Sequence, residues 1–252
     1  MIKIFFDVET TGTNHKLNSI HQLSGLIEIN GQIVEEFDFK VRPHPKAQID
    51  DAAMHLCGVT EEEIMKYPEM KKVLLGFTNM LSKHIDKYNP KDKAWLIGFN
   101  NRAFDDKFLR MFFELCGDKY IGSWFWVDTI DVLCLASQYL LDRRTSMPSF
   151  KLKRVAKELG IIVEEEKLHD AGYDVHLTRE IYRIVTGLEI EPNETAFIYY
   201  YHPESDSVWK QLSPMEDEGD GLTQEISYKD YRRILIELGL KDGPKMIIDE
   251  LF

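Results

Sequence analysis

Positive charge is scarce in this 252-residue chain: 31 lysines and arginines stand against 43 aspartates and glutamates, a formal net charge of −12. That argues against a surface built for generic phosphate-backbone binding. It leaves room for a local site in which metal ions supply the positive charge. Cysteine is also scarce. Cys57, Cys116 and Cys134 are far apart and odd in number, so no disulfide framework or metal-binding pair is readable, and a reducing cytoplasm is the expected setting. Long apolar runs are lacking, which leaves no readable membrane span. No charged-then-apolar leader is expected, since the sequence opens on strand-like residues. Repeats are lacking too, and the acidic "EDEGDG" at 216–221 reads as a solvated loop.

What is present is a large core. The chain is 44% hydrophobic and 12% aromatic, enough for one large domain or a domain with an appendage. Residues 191–252 carry 14 acidic and 6 basic residues, and "EIEPNE" at 189–194 has no apolar periodicity. The expected division is therefore a domain at 1–190 and an acidic C-terminal extension at 191–252. Strands are expected at "IKIFFDVE", "IHQLSGLIEI", "QIVEEFDFKV" and "AWLIGF", with Asn30-Gly31 joining the second and third as a hairpin. Thr60 and Glu63 form a capping-box pattern. Helices are expected at 70–85, 105–116, 128–141, 149–160 (ending at Gly160) and 173–185. In the extension, "AFIYYYHPESDSVWKQL" reads as a hairpin and "YKDYRRILIELGL" has helical spacing. Antiparallel-type strands followed by alternating strands and helices imply a mixed α/β sheet with helices on its faces.

Three acidic groups carry the chemistry. In "KIFFDVETTG", Asp7 and Glu9 lie two residues apart, so a strand presents both carboxylates on one face. With 43 acidic residues, an acid-x-acid pair arises by chance roughly seven times, so the spacing alone is weak. Its position counts for more: a core strand ends there in a Thr-Thr-Gly turn, and strand ends are common places for sites. In "LIGFNNRAFDDKFL", Asp105 and Asp106 open a helix, where acids are ordinary. Asn101 is equally read as a turn residue, and Phe104 and Phe108 as core aromatics or base-stacking platforms. In "LHDAGYDVHLT", His169 reads as a surface or capping residue. Asp174 shares a stripe with Leu177 and Ile181, where a carboxylate wants a cation. His21 and His176 have no comparable context. Residues 143–157 hold six basic residues and no acid, which fits a solvated helix face as well as a track for phosphates.

The order Asp-x-Glu, Asn-x-x-Phe-Asp, His-x-Ala-x-x-Asp resembles the DEDDh (DnaQ-like) 3′→5′ exonucleases of the RNase H-like superfamily. "FFDVETTG" looks like the first motif, "NNRAFDDKFL" the second and "HDAGYD" the third. "IDDAAMHLCGVTEEEI", "VDTIDVLCLA" and "FKLKRVAKELGI" look like the segments between them, so the resemblance spans about residues 2–187. It departs at Asn100, where many relatives have histidine, and at Gln22, where many have an acid. It implies a mixed five-stranded sheet with helices on both faces. It also implies removal of nucleotides from the 3′ end of single-stranded DNA, with RNA as the rival substrate and a non-catalytic adaptor for a nucleic acid or protein as the rival class. Two divalent cations, Mg²⁺ or Mn²⁺, are implied: Asp7 would bridge them, Glu9 and Asp174 would complete one ion's ligands, and Asp105 would hold the other. His169 would take the proton from water, Thr10, Thr11, Asn101 and Phe104 would border the substrate, and a polymerase or other replication protein is an implied partner.

Overall fold

The computed structural model describes residues 1–164, 170–188, 197–202, 207–212 and 224–227. They fall into two compact units, Met1–Gly187 and Leu188–Phe252.

The first unit is built on a sheet of strands β1 (Ile2–Thr10), β2 (Ile20–Ile29), β3 (Gln32–Lys40), β4 (Trp95–Gly98) and β5 (Ile130–Asp131), in the order β3-β2-β1-β4-β5. The first three are antiparallel, and β4 and β5 add in parallel. The β2–β3 connection is tight because Asn30 and Gly31 both hold positive φ, 53° and 90°, the geometry a two-residue hairpin needs.

Alternation along β1 feeds two cores. Ile4, Phe6 and Val8 pack with α3 (Met70–Leu81) and α4 (Asp105–Leu115) on one face of the sheet. Phe5 packs on the other with α5 (Val132–Tyr139), α6 (Leu152–Glu158) and α7 (Ala171–Val185). Each helix supplies apolar residues at three- and four-residue intervals: Phe108, Leu109, Phe112 and Phe113 on α4, and Val175, Leu177, Ile181 and Tyr182 on α7. The two remaining helices, α1 (Asp51–Cys57) and α2 (Glu61–Ile64), follow β3. The Thr60–Glu63 capping box is present in full at α2.

Three expectations need correction. The helix expected over 128–141 is a strand and then a helix: Ile130 pairs in parallel with Ile97, and α5 starts only at Val132. The switch comes at Asp131, whose carboxylate accepts from the Leu133 N–H at 3.0 Å and caps the helix. The helix expected over 70–85 stops at Leu81 and the one over 149–160 is confined to Leu152–Glu158, with Gly160 just beyond at φ +80°. Helix α1 was not foreseen by periodicity at all.

The second unit contains an antiparallel sheet of β6 (Phe197–His202), β7 (Ser207–Leu212) and β8 (Gln224–Ser227). The first two are the arms of the expected hairpin, and β8 is additional. The helix expected at "YKDYRRILIELGL" lies outside the described residues. Among the described residues, no helix is long and apolar enough to cross a membrane.

Candidate active site at the C-terminal end of the central strand

Sheet register decides which side chains meet at the end of β1. Asp7 lies opposite Ser24 and Glu9 opposite Gln22, and the pairing slips by one residue between Glu9 and Thr10. On the other side, β4 runs parallel to β1 only from Trp95 to Ile97. The chain therefore leaves β4 beside the last residues of β1, at a switch between antiparallel and parallel neighbours. Such a switch opens a crevice at strand ends.

The turn out of β4 is held from outside. Asn100 takes a left-handed conformation, φ 63°, and its N–H donates to Asp131 Oδ1 at 3.0 Å. The Arg102 N–H donates to Asp131 Oδ2 at 3.3 Å. A side chain on Gly98 would press on Asn101 Cβ at 2.7 Å, so this position needs glycine for a close approach rather than for an unusual φ. The result is that α4 starts under β1 and Asp105, which is buried, accepts the Val8 N–H at 3.2 Å. Asp106 turns away and pairs with Arg110 at 2.7 Å, an ordinary first-turn acid.

Helix α7 brings the third element. Its N-cap is Asp170, which accepts the Tyr173 N–H at 2.9 Å. Along its length it is tied to the sheet by His176 to Glu36 at 3.1 Å and by Arg179 to Glu28 at 2.7 Å. Glu28 also meets the buried Lys3 at 2.8 Å, and Lys3 lies over the Tyr182 ring at 5.0 Å. This anchoring sets Asp174 close to the end of β1.

The electrostatics show the convergence. The Asp7 carboxyl is held well above the usual carboxylate range, first by burial and then by the charges of Asp105, Glu9 and Asp174. Burial likewise raises Asp105 despite the backbone N–H groups of Asp105 and Val8, and Glu9 and Asp131 push the same way. Every charge that shifts Asp7 is negative, and all the donors are hard carboxylate oxygens, the set that suits Mg²⁺ or Mn²⁺. As the side chains stand, no three acidic, histidine or cysteine groups among the described residues are arranged to hold a metal ion. The carboxylates thus share a neighbourhood without being closed on one point.

The other expected residues divide. Thr10 and Thr11 are buried, and their hydroxyls donate within the protein, Thr10 to Gly12 O at 2.7 Å and Thr11 to Gln48 O at 2.7 Å. Asn101 is buried, with its amide NH₂ on Thr129 Oγ1 at 2.5 Å, and its carbonyl oxygen has no hydrogen-bond partner among the described residues. Phe104 packs on Phe108 with ring centroids 4.9 Å apart, against the core. His169 lies outside the described residues. His21 is buried and its imidazole is lowered to about 4, chiefly by burial and next by Lys40. In the basic segment, Glu158 pairs with Arg143 at 3.5 Å and with Arg154 at 3.2 Å, and Arg144 lies over the Phe150 ring at 4.2 Å.

Two residues of the site were missed by sequence reasoning. Asp131 pins the turn that carries Asn101 and Asp105; its signal was an Asp immediately before an apolar helix, the pattern of an N-cap. Cys57, at the end of α1, donates its thiol to Glu9 Oε2 at 3.0 Å. Burial, and then Glu9, push that thiol up to about 12. Nothing in the local sequence marks that contact, because the partners are 48 residues apart.

Comparison with known proteins places this arrangement. The chain is 28% identical over 182 residues to a DNA polymerase III PolC-type protein of Mycoplasmopsis pulmonis, covering 71% of this chain and 11% of that protein. It is 26% identical over 179 residues to the corresponding protein of Thermotoga petrophila, with the same coverages. The chain thus spans about a tenth of the length of these relatives. Among solved structures, it is similar to E. coli exonuclease I in complex with a dT13 oligonucleotide, at TM-score 0.59 and 16% identity, covering 100% of this chain and 77% of that one. A zinc-bound E. coli ExoI–ssDNA complex gives TM-score 0.57 and 16% identity, with 95% and 67% covered. At that identity the likeness is one of fold, and the fold is the mixed five-stranded RNase H-like sheet with helices. The RNase_T family model, described as Exonuclease, matches residues 4–182, all three acidic groups included, and the chain belongs to this DnaQ-like exonuclease family.

Proposed function

We propose that this chain is a metal-dependent 3′→5′ exonuclease that hydrolyses phosphodiester bonds from the 3′ end of single-stranded DNA. The observation that carries the reading is the meeting of Asp7 and Glu9 from the end of β1, Asp105 from the start of α4 and Asp174 from the start of α7 in one negatively charged neighbourhood. DNA is favoured over RNA because the relatives are DNA polymerases by name and the structural neighbours were captured with single-stranded DNA. The same names favour a polymerase or other replication protein as partner, and three free thiols fit a reducing cytoplasm.

Asp7, Glu9, Asp105 and Asp174 would hold two divalent cations, Mg²⁺ or Mn²⁺, which when bound supply stabilisation of the attacking and leaving oxygens of an in-line displacement. The protein's own part is to fix the carboxylates and border the substrate. Thr10 and Thr11 shape the loop after β1 while their hydroxyls stay engaged, so they would meet the terminal nucleotide through the loop's surface. The Phe104 ring would line the same border, and the carbonyl oxygen of Asn101, buried in this structure, would lie just behind it. His169, immediately before the cap of α7 in the sequence, would accept the proton of the attacking water, a role to which histidine side chains are suited near neutral pH.

The test is cleavage of 5′-labelled single-stranded DNA, duplex DNA, RNA and circular single strands by chelator-treated protein, before and after adding Mg²⁺ or Mn²⁺. A metal-dependent ladder of shortening products on linear single-stranded DNA is expected. Robust cutting of circles would overturn the exonuclease reading, and faster trimming of RNA than DNA would make the chain an exoribonuclease. Tight binding without cleavage in any metal would make it an adaptor. In the same assay, at saturating metal and substrate, His169→Ala should slow single-turnover cleavage by about 10²–10⁴-fold; a rate equal to wild type would remove His169 from the chemistry.

A further inference from the structure

We infer that Cys57 is a positioning residue for Glu9: its thiol holds the carboxylate in the orientation that Glu9 offers to a divalent cation. The inference rests on the metal reading above and adds a residue that the motifs do not contain.

The contact is built rather than accidental. Cys57 is the last residue of α1, and that end of the helix is fixed. Gly58 takes φ +65°, its N–H returns to His55 O at 3.3 Å, and the Val59 N–H returns to Met54 O at 3.1 Å, a helix stop that only glycine adopts readily. Met54 buries the inner face of the helix. The start of α1 is tied to the loop that follows β1, because the Asp50 N–H donates to Thr11 O at 2.8 Å. A side chain on Gly12 would meet Asp50 and Asn18, so that loop and the start of α1 lie in close contact. The start of α1 is thus fastened to the loop after β1, its last turn is closed by the Gly58 stop, and the half-buried thiol reaches Oε2 at 3.0 Å from a defined place.

The chemistry of the donor matters. A metal-binding carboxylate has two oxygens with about four lone-pair sites, so it can accept one hydrogen bond and still bind a cation. Groups that orient metal ligands in this way typically change metal affinity 10–100-fold when removed. A thiol is a weak donor. It therefore restrains the rotation of the Glu9 carboxylate without competing strongly for its charge, and its effect should lie at the lower end of that range.

The experiment is titration of chelator-treated full-length protein with MnCl₂, following free Mn²⁺ by its electron paramagnetic resonance signal, with no nucleic acid present. Cys57→Ala and Cys57→Val, which lack a donor, should bind Mn²⁺ about 10-fold more weakly than wild type. Cys57→Ser, which keeps one, should recover most of that loss. Melting of the metal-free proteins guards against a packing effect, and if Cys57→Ala does not fold, the Val and Ser variants carry the comparison. Equal affinity of wild type and the donor-less variants would overturn the inference while leaving the metal site standing. So would an equal loss in Cys57→Ser, since that would assign the effect to packing. Failure of wild type itself to bind Mn²⁺ would overturn both the inference and the reading it rests on.

Discussion

Asp7→Asn is expected to abolish cleavage and, in the absence of metal, to make the protein more stable. The two effects have one cause. Asp7 is recessed at the end of β1, and the charges that act on it come from Asp105, Glu9 and Asp174, all of the same sign. Burial together with like charge disfavours its ionised form. The sign of the linkage follows. A carboxyl whose folded pKa lies above its ordinary 3.8 contributes stability that is full below that value and is lost as pH rises through the folded pKa. At neutral pH the metal-free protein therefore carries an unfavourable term that a neutral amide of the same shape removes. A gain of about 0.5–2 kcal/mol is expected, in the range of substitutions that relieve a functional site. For a unit of this size that is a rise of a few degrees in melting temperature. Cleavage, by contrast, should fall well beyond the roughly 100-fold that loss of a group orienting a metal ligand typically costs, because the proposal makes Asp7 a ligand itself. The checks are thermal melts in chelator at pH 4 and pH 8, beside the labelled-strand assay in Mg²⁺. The stabilisation should be present at pH 8 and nearly absent at pH 4. An Asp7→Asn protein that is no more stable at pH 8, or that still cleaves at a tenth of the wild-type rate, would show that Asp7 is not at the centre of the acidic cluster.

How much of this was legible in the sequence depends on the range of the signal. Strands β1 to β4 were readable because their apolar residues are consecutive or alternate, and Asn30-Gly31 names its own hairpin. The order of the three acidic groups was readable because each lies within a few residues of the end of an element. Helix α1 was not, since seven residues with one buried side chain, Met54, leave no periodicity to detect. Strand β5 was not, because two residues give no alternation and Asp131 then caps a helix whose apolar pattern dominates the window. The bidentate hold of Asp131 on the turn at Asn100–Arg102 and the reach of Cys57 to Glu9 are contacts across 29 to 48 residues, set by tertiary packing alone. The basic segment at 143–157 illustrates the opposite failure. Read as a stretch it is uniformly cationic, yet Glu158, one residue outside the window, answers Arg143 and Arg154.

The buried ion network beneath the site should dominate stability. Glu28 is 2% exposed and accepts from Lys3 at 2.8 Å and from Arg179 at 2.7 Å, and Lys3 is itself only 5% exposed. These three residues join β1, β2 and α7, the two elements that carry Asp7 and Asp174 and the strand between β1 and β3. Burial alone would raise the Glu28 carboxyl, but the hydrogen bonds and charges of Lys3 and Arg179 outweigh it and the net shift is downward. Glu28→Ala leaves the Lys3 ammonium buried without its counter-ion, a loss that typically costs about 3–5 kcal/mol. For a unit of this size the melting temperature should fall by about 6–20 °C. Replacing all three charges, Lys3→Met and Glu28→Leu with Arg179→Met, should cost much less than Glu28→Ala, since the penalty comes from orphaned charge rather than from the loss of a strong bond. The pH dependence has a fixed sign. A carboxylate with a depressed folded pKa contributes stability that is present above its ordinary 4.5 and is lost as pH falls through the folded value. The gap between wild type and Glu28→Ala should therefore be wide at pH 7 and narrow on acidification below about 4.5. Because Arg179 also ties α7 to the sheet, Glu28→Ala protein that remains folded at low temperature should bind Mn²⁺ more weakly through a displaced Asp174. A Glu28→Ala melting temperature within two degrees of wild type at pH 7 would mean that water reaches Lys3 in solution and that α7 is held by its apolar face alone.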